Sequence, residues 1–292
     1  MSLDLYFTSL YFYEYEIPEI FEIASKLGFK GIELNLELYH IWFAKDISKV
    51  MKNIADLEES YNLPLTLHAP FIDINLMSYN HKLRSLSERE IQKSIFWANK
   101  LGIPIVTVHM GAFPFGFEYK SEDYFIRKFY KYGVSALKNL YEFADDLNIR
   151  VGVENLHYVQ GKFPKTPEHF DILLRDIPEL KITFDLAHAY TISETIAWDI
   201  LKQYSKNIIN IHVSDVDKTT KKHHIGITDG FVDFYHFFKL LKKHNIKAPI
   251  VIELSATATC RNKFSDKKFR ADTLNKSKEK LEEIYRNVSK GL

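Results

Sequence analysis

Six short apolar segments of this chain each run into a side chain of the kind that binds metals. They are LTLH ending at His68, VTVH at His109, VGVE at Glu154, ITFD at Asp185, INIH at His212 and IVIE at Glu253. Side chains alternate faces along a strand, so the residues one and three before each terminal group share the opposite face. Those residues are Leu67 and Leu65, Val108 and Val106, Val153 and Val151, Phe184 and Ile182, Ile211 and Ile209, and Ile252 and Ile250, all apolar. The residues two before each terminal group share its face and are mostly small or polar: Thr66, Thr107, Gly152, Thr183, Asn210 and Val251. One such segment is usually a capped strand or a core hydrogen bond. Six in series gather imidazoles and carboxylates in one region, at a cost that only a cation or a polar substrate offsets.

The same segments set the architecture. Strands are expected near residues 4–8, 31–36, 64–68, 104–109, 150–154, 181–185, 208–213 and 249–253. Helical spacing lies between them, as in Ile20, Ile23, Ala24 and Leu27 before Gly28, and Ile91, Ile95, Ala98 and Leu101 before Gly102. Further helical segments fall near Ala136 to Leu147, Phe170 to Leu174, Ile192 to Tyr204, Phe234 to His244 and, at the end, Leu274 to Ile284. Strands alternating with helices predict a parallel sheet closed into a (β/α)8 TIM barrel, a single α/β domain over residues 1–292. An open doubly wound sheet would gather ligands at one switch point rather than on six successive strands. In a barrel every strand's carboxyl end lies on one rim, where active sites form.

Composition removes several function classes. Lys plus Arg number 39 against 38 Asp plus Glu, so a net charge of +1 gives no general attraction to nucleic acid or anionic membranes. Cys260 is the only cysteine, which excludes an intrachain disulfide and a cysteine-based zinc site. The amino end lacks the basic start and apolar core of a signal peptide, and no segment approaches a membrane span. A cytoplasmic protein with no membrane partner is expected. Nothing in the sequence sets an oligomeric state.

Nitrogen and oxygen ligands without thiolates suit Zn, Mn, Fe or Co. The expected metal ligands are His68, His109, Glu154, Asp185, His212 and Glu253, for one or two divalent ions per chain. Loops add His157, His188, Asp215 and the pair His223–His224. His157 reads equally as a surface or a functional residue, His223 as solvated, and Asp215 as a partner orienting His212. Phe113, Phe115 and Phe117 either pack the loop after the fourth strand or cover a ligand, and the stretch CRNKFSDKKFR reads as an exposed basic loop.

The ordered motifs HAP at 68–70, HMG at 109–111, VEN at 153–155, FDLAH at 184–188, HVSD at 212–215 and IEL at 252–254 resemble the xylose-isomerase-like barrel superfamily. That superfamily includes sugar isomerases and epimerases and the endonuclease IV family of abasic-site nucleases. In its epimerase branch, residues matching Glu154, Asp185, His212 and Glu253 hold one divalent cation. The two glutamates exchange a proton at carbon, and a residue matching His188 contacts substrate. Gln160 and Lys218 stand where some epimerases carry an acid and an arginine, so sugar specificity is not implied. In the nuclease branch, matches to His68, His109 and Glu154 form a second site. Its third site needs His188 and an Asp-x-His pair, which falls at Lys222 and His224 here, and a charged lysine cannot replace the carboxylate.

The resemblance therefore implies a metal-dependent sugar or sugar-phosphate isomerase or epimerase. Glu154 and Glu253 would be catalytic, His188 and His224 would bind substrate, and the partner would be a small carbohydrate. The alternative is an endonuclease IV-like phosphodiesterase with two metals, acting on abasic DNA and using His68 and His109 as ligands. A catalytically silent barrel is disfavoured, because no member of the four-residue ligand set is missing.

Overall fold

The computed structural model describes residues 3–113, 122–260 and 266–290, with side chains of the helix starting at Glu122 described from Phe129 onward. Strand β1 (Leu5–Thr8) passes through a 3-10 turn (Ser9–Phe12) into helix α1 (Ile17–Lys26). Then come β2 (Gly31–Asn35), α2 (Tyr39–Trp42), α3 (Ile47–Tyr61), β3 (Leu65–His68), α4 (His81–Lys100), β4 (Ile105–Val108) and α5 (Glu122–Asp145). The second half runs β5 (Arg150–Glu154), α6 (Pro167–Asp176), β6 (Lys181–Asp185), α7 (Leu186–Ile192), α8 (Glu194–Gln203) and β7 (Ile208–Val213). It ends with α9 (Phe234–Lys243), β8 (Ile250–Ile252), α10 (Ala256–Thr259) and α11 (Lys267–Lys290). All eight strands pair in parallel with their sequence neighbours, and β8 closes on β1. The closed barrel is the one expected from sequence. No described helix is long and apolar enough to cross a membrane.

The helices differ from expectation in two places. The helix read from Ile192 to Tyr204 is α8, which starts after Ser193, extended (φ −165°) with its hydroxyl accepting from Ile196 N at 3.1 Å; α7 before it is not named by the sequence reading. A serine that satisfies a free N–H in this way starts a new helix rather than continuing the old one. Helix α3, which the sequence reading did not name, begins where Asp46 accepts from Lys49 N at 3.1 Å and ends at Asn62 in a left-handed conformation.

The strand alternation sorts the barrel into two shells. The apolar residues singled out one and three positions before each terminal group are all buried between strands and helices. Inward-facing residues form a hydrogen-bonded layer instead. Thr66 Oγ1 donates to Glu33 Oε2 at 3.1 Å, and Asn210 Nδ2 reaches Glu33 Oε2 at 2.7 Å and Thr107 Oγ1 at 3.1 Å. Thr107 and Thr183 hydroxyls lie 2.9 Å apart. Gly152 is required here, since a Cβ would stand 2.5 Å from Thr183 Oγ1. This layer is a polar floor directly beneath the carboxyl rim.

Helix α11 packs against α9 and β8, with Leu274, Leu281 and Val288 fully buried. Of the basic stretch at its start, residues 261–265 lie outside the described residues, Asp266, Lys267 and Lys268 are exposed, and Cys260 and Arg270 are buried. Arg270 donates to Tyr11 O at 2.9 Å and to both oxygens of Glu14 at 2.6 and 3.1 Å, tying the last helix to the first loop of the rim. Because α11 completes the core, Leu281→Ala is expected to cost about 2–5 kcal/mol of unfolding free energy. Urea unfolding followed by circular dichroism measures this; an unchanged midpoint would show α11 to be dispensable.

Candidate metal centre

Four side chains at the ends of β5, β6, β7 and β8 each direct one atom to a common point. Glu154, Asp185, His212 and Glu253 offer ligand atoms that all lie within 4.8 Å of one another. Glu154 Oε1, Asp185 Oδ2, His212 Nδ1 and Glu253 Oε2 are buried and meet only one another and His188: His212 Nδ1 lies 2.8 Å from Glu253 Oε2, and His188 Nδ1 3.1 Å from Glu154 Oε1. Three buried carboxylates crowded around one imidazole are costly without a cation. Three oxygens and a nitrogen around one point are a donor set for a divalent cation, so the residues fit one.

Each ligand is held by its other polar atoms. Asp185 caps α7, its Oδ1 accepting from His188 N at 2.6 Å, which leaves Oδ2 for the centre. Asn155 grips the same residue, donating from Nδ2 to Asp185 O at 2.8 Å and accepting from Asp185 N at 2.9 Å. The asparagine of the VEN motif thus sets the β6 end. His212 Nε2 lies 2.9 Å from Glu33 Oε1, so the imidazole presents Nδ1 to the centre. Glu33, on β2, is fully buried in the polar floor. Sequence reading missed it because β2 ends at Asn35 without a ligand. Its signal is the strict alternation of GIELN, which turns Gly31, Glu33 and Asn35 to one face.

A second group, His68, His109 and Glu154, shares Glu154 with the first. His109 Nε2 lies 2.8 Å and His68 Nε2 3.3 Å from Glu154 Oε2, and His68 Nδ1 donates to Ala69 O at 2.7 Å. Phe71 lies against both rings, with centroids 5.5 and 5.0 Å away. The HMG motif continues through Gly111 at φ +100°, where a Cβ would meet Asn75 Oδ1 at 2.4 Å.

The third group corrects the sequence reading. His188, His223 and His224 bring ligand atoms within 4.8 Å, so His223 is a half-buried member of the site and not a solvated residue. His224 takes a left-handed backbone (φ 57°), and its ring lies 4.5 Å from that of His223 and 5.0 Å from that of His188. His188 Nδ1 donates to Asn155 O at 3.0 Å, and His224 Nδ1 to Glu253 O at 3.1 Å. In both, the remaining Nε2 is the nitrogen free to ligate. His157 stands beside this group, 4.8 Å from the His223 ring, and its Nδ1 is buried without a hydrogen bond. Asp215 does not orient His212: it accepts from the backbone N–H groups of Val216, Thr228, Gly230 and Val232 at 2.8–3.0 Å, and so fixes the loop that follows the histidine pair. Gln160 and Lys218 are exposed.

The electrostatics differ between groups. Burial alone would lower the His212 pKa, but Glu33, Glu253 and Glu154 raise it well above the ordinary range. His68 and His188 likewise overcome burial, through Glu154 and Asp185 respectively, and rise to about 9. Burial and the nearby glutamates push Asp185 up to about 8. Burial opposes ionisation of Glu154 too, yet His109 and His212 hold its pKa well below normal. By contrast, burial and mutual crowding press His157 down to about 3, His223 to about 2 and His224 to about 4. The first set holds protons where a cation would sit, and the second set is neutral.

A cavity of about 600 Å³ opens onto these groups, lined by Tyr13, Phe71, His109, His157, Lys162 and Glu253 among others. Of the aromatic stretch read as packing its loop or covering a ligand, Phe113 is buried against Phe163, with centroids 6.0 Å apart; Phe115 and Phe117 lie outside the described residues.

The chain resembles known proteins. The chain is 28% identical over 256 residues to the uncharacterized protein MJ1311 of Methanocaldococcus jannaschii, covering 86% of this chain and 84% of that one. It is 27% identical over 283 residues to MJ1188 of the same organism, covering 96% and 95%. A crystal structure of a D-tagatose 3-epimerase-like protein superposes with a TM-score of 0.82 at 26% identity, covering 99% of both chains. D-psicose 3-epimerase from Clostridium cellulolyticum H10, solved with D-tagatose, superposes at 0.78 with 13% identity, covering 97% of this chain and 99% of that one. At that identity the likeness concerns the fold alone. The family model for the xylose isomerase-like TIM barrel matches residues 21–282, and the chain belongs to that family.

Proposed function

We propose that this protein is a divalent-metal-dependent sugar or sugar-phosphate isomerase or epimerase. The observation that carries the reading is the convergence of buried ligand atoms from Glu154, Asp185, His212 and Glu253 within 4.8 Å of one another, with Glu253 lining the cavity. The likeness to a D-tagatose 3-epimerase-like protein over nearly the whole chain supports it. A divalent ion held there supplies polarisation of the carbonyl and hydroxyl oxygens beside the reacting carbon.

The two glutamates have different settings. Glu253 is partly exposed and lines the cavity, so its carboxylate is the base that takes a proton from carbon, the C–H electron pair passing into the adjacent carbonyl. Glu154 is fully buried, with Oε2 2.8 Å from His109 Nε2. For epimerisation a proton must return to the opposite face of the carbon; Glu154 delivers it after taking one from His68, which is protonated with a pKa of about 9 and whose Nε2 lies 3.3 Å from Glu154 Oε2.

A hydrolase of the endonuclease IV kind is the second reading, favoured by the His68–His109–Glu154 and His188–His223–His224 groups. The first of these is already closed by its own contacts, His68 Nδ1 on Ala69 O and both Nε2 atoms on Glu154 Oε2. The quartet has an internal contact too, His212 Nδ1 at 2.8 Å from Glu253 Oε2, so the likeness to a D-tagatose 3-epimerase-like protein decides, and the isomerase reading is the one we adopt.

Three outcomes follow from this assignment. Asp185→Ala is expected to lose metal on dialysis, and Glu33→Gln to weaken metal binding roughly 10- to 100-fold by loosening His212, with fold retained. Elemental analysis and metal titration measure both; wild-type affinity in Glu33→Gln would remove Glu33 from the design. Because His212 and Asp185 (about 8) hold protons that metal must displace, affinity should rise with pH between 6 and 8 and binding should release protons. Calorimetry in buffers of different ionisation enthalpy would show this, and pH-independent binding would contradict it. Finally, metal-loaded protein should exchange the carbon-bound hydrogen of a ketose with deuterated water, and Glu253→Gln should slow that exchange by at least roughly 100-fold. Metal-dependent cleavage of an abasic duplex without any exchange would select the hydrolase.

A further inference from the structure

Lys162 brings to the cavity a charge that nothing among the described residues neutralises. Lys162 lines the cavity and is half-buried, and burial lowers its pKa with no acid acting against it. Its backbone is fixed: residue 162 bridges to Ala112, Lys162 N donates to Val159 O at 3.3 Å, and the neighbouring Gly161 O accepts from Phe113 N at 2.9 Å. The ammonium is thus carried on a braced loop rather than trailing into solvent.

The acids that share the cavity are spoken for. Glu14 is gripped by both guanidinium nitrogens of Arg270, and Glu253 belongs to the quartet. Among the described residues, Lys162 is the one charged group lining the cavity with neither an acidic partner nor a place in the ligand groups. A partly desolvated ammonium without a counter-charge is unfavourable unless a ligand supplies one. His157 faces the same cavity, feels the charge of Lys162, and keeps a buried Nδ1 with no partner. An ammonium offers three donors and no acceptor, which suits an anion and repels a cation. The cavity also has room: about 600 Å³ equals the liquid volume of roughly 20 waters, whereas a hexose has about a dozen non-hydrogen atoms.

We propose that Lys162 and His157 form an anion subsite, so that the substrate is a sugar bearing a phosphate or carboxylate at the end remote from the reacting carbon. This rests on the isomerase reading above and narrows its substrate class. The subsite orients the sugar by its charged end and leaves the carbon near Glu253 to be set by the quartet.

The test uses the metal-loaded full chain and three probes that differ in one group: D-fructose, D-fructose 6-phosphate and D-fructuronate. Calorimetric titration should show one of the anionic sugars binding roughly 10- to 100-fold more tightly than fructose, the range of a charge-assisted contact. The stronger of the two identifies phosphate or carboxylate as the group. Inorganic phosphate should compete if phosphate is preferred. Lys162→Gln should erase the preference and Lys162→Arg restore part of it, with metal content equal to wild type as the control for folding. Fructose binding without an anionic preference in the wild type, or a preference that survives in Lys162→Gln, overturns the subsite and leaves the isomerase reading standing. Failure of all three sugars to bind, together with cleavage of an abasic duplex, overturns both.

Discussion

The contact between Glu33 and His212 is the constraint on which the site depends. It joins the polar floor of the barrel to the ligand layer above it, and it decides which imidazole nitrogen faces the centre. An ionised carboxylate at the core of a barrel is expensive to bury. Thr66 and Asn210 lower that cost by donating to its other oxygen, and Asn210 also links to Thr107. The threonines and asparagine that make the inner face crowded are thus the support for one buried charge. That charge in turn holds His212 rigidly enough to present Nδ1 alongside three carboxylate oxygens. Rigid presentation of ligands by their outer partners is what separates a built metal site from a chance gathering of acids.

Around that axis the loops share a single device. His68, His188 and His224 each donate Nδ1–H to a backbone carbonyl, of Ala69, Asn155 and Glu253 respectively. A backbone acceptor fixes the tautomer at almost no cost in side-chain freedom, because the chain is already ordered there. The motifs that recur at the strand ends are therefore geometric requirements. Asn155 locks Asp185, Gly111 lets the chain turn beside Asn75, and Asp215 gathers four backbone N–H groups to brace the loop beyond His224.

Much of this could be read from the chain, for a definite reason. Barrel strands have a period of two, and a ligand at the carboxyl end is a sharp local mark, so all eight strands fall within one residue of their expected positions. Glu33 escaped because it lies one layer below the rim, where a strand gives no terminal mark. Helix α7 escaped because it is a short turn capped by Asp185 and follows directly on a strand, and only the extended Ser193 sets it apart from α8. His223 escaped because two adjacent histidines cannot be told apart by spacing. The left-handed conformation at His224 turns both rings toward His188, and no pattern of residues announces that turn.

The shared glutamate couples the two groups. Glu154 Oε1 faces the quartet, while Oε2 is engaged by His109 and His68. An ion entering the quartet must displace the protons of His212 and Asp185 and part His212 Nδ1 from Glu253 Oε2, 2.8 Å away. One entering the second group must displace the proton that His68 holds with a pKa of about 9, and must separate both imidazoles from Oε2. Each group thus trades protons for an ion at the same carboxylate. His68 and His109 meanwhile keep a proton next to Glu154 only while the second position holds no ion, and a proton beside that carboxylate is what transfer at carbon needs. The residues that resemble hydrolase ligands become, in a one-metal site, the local proton reserve of an isomerase.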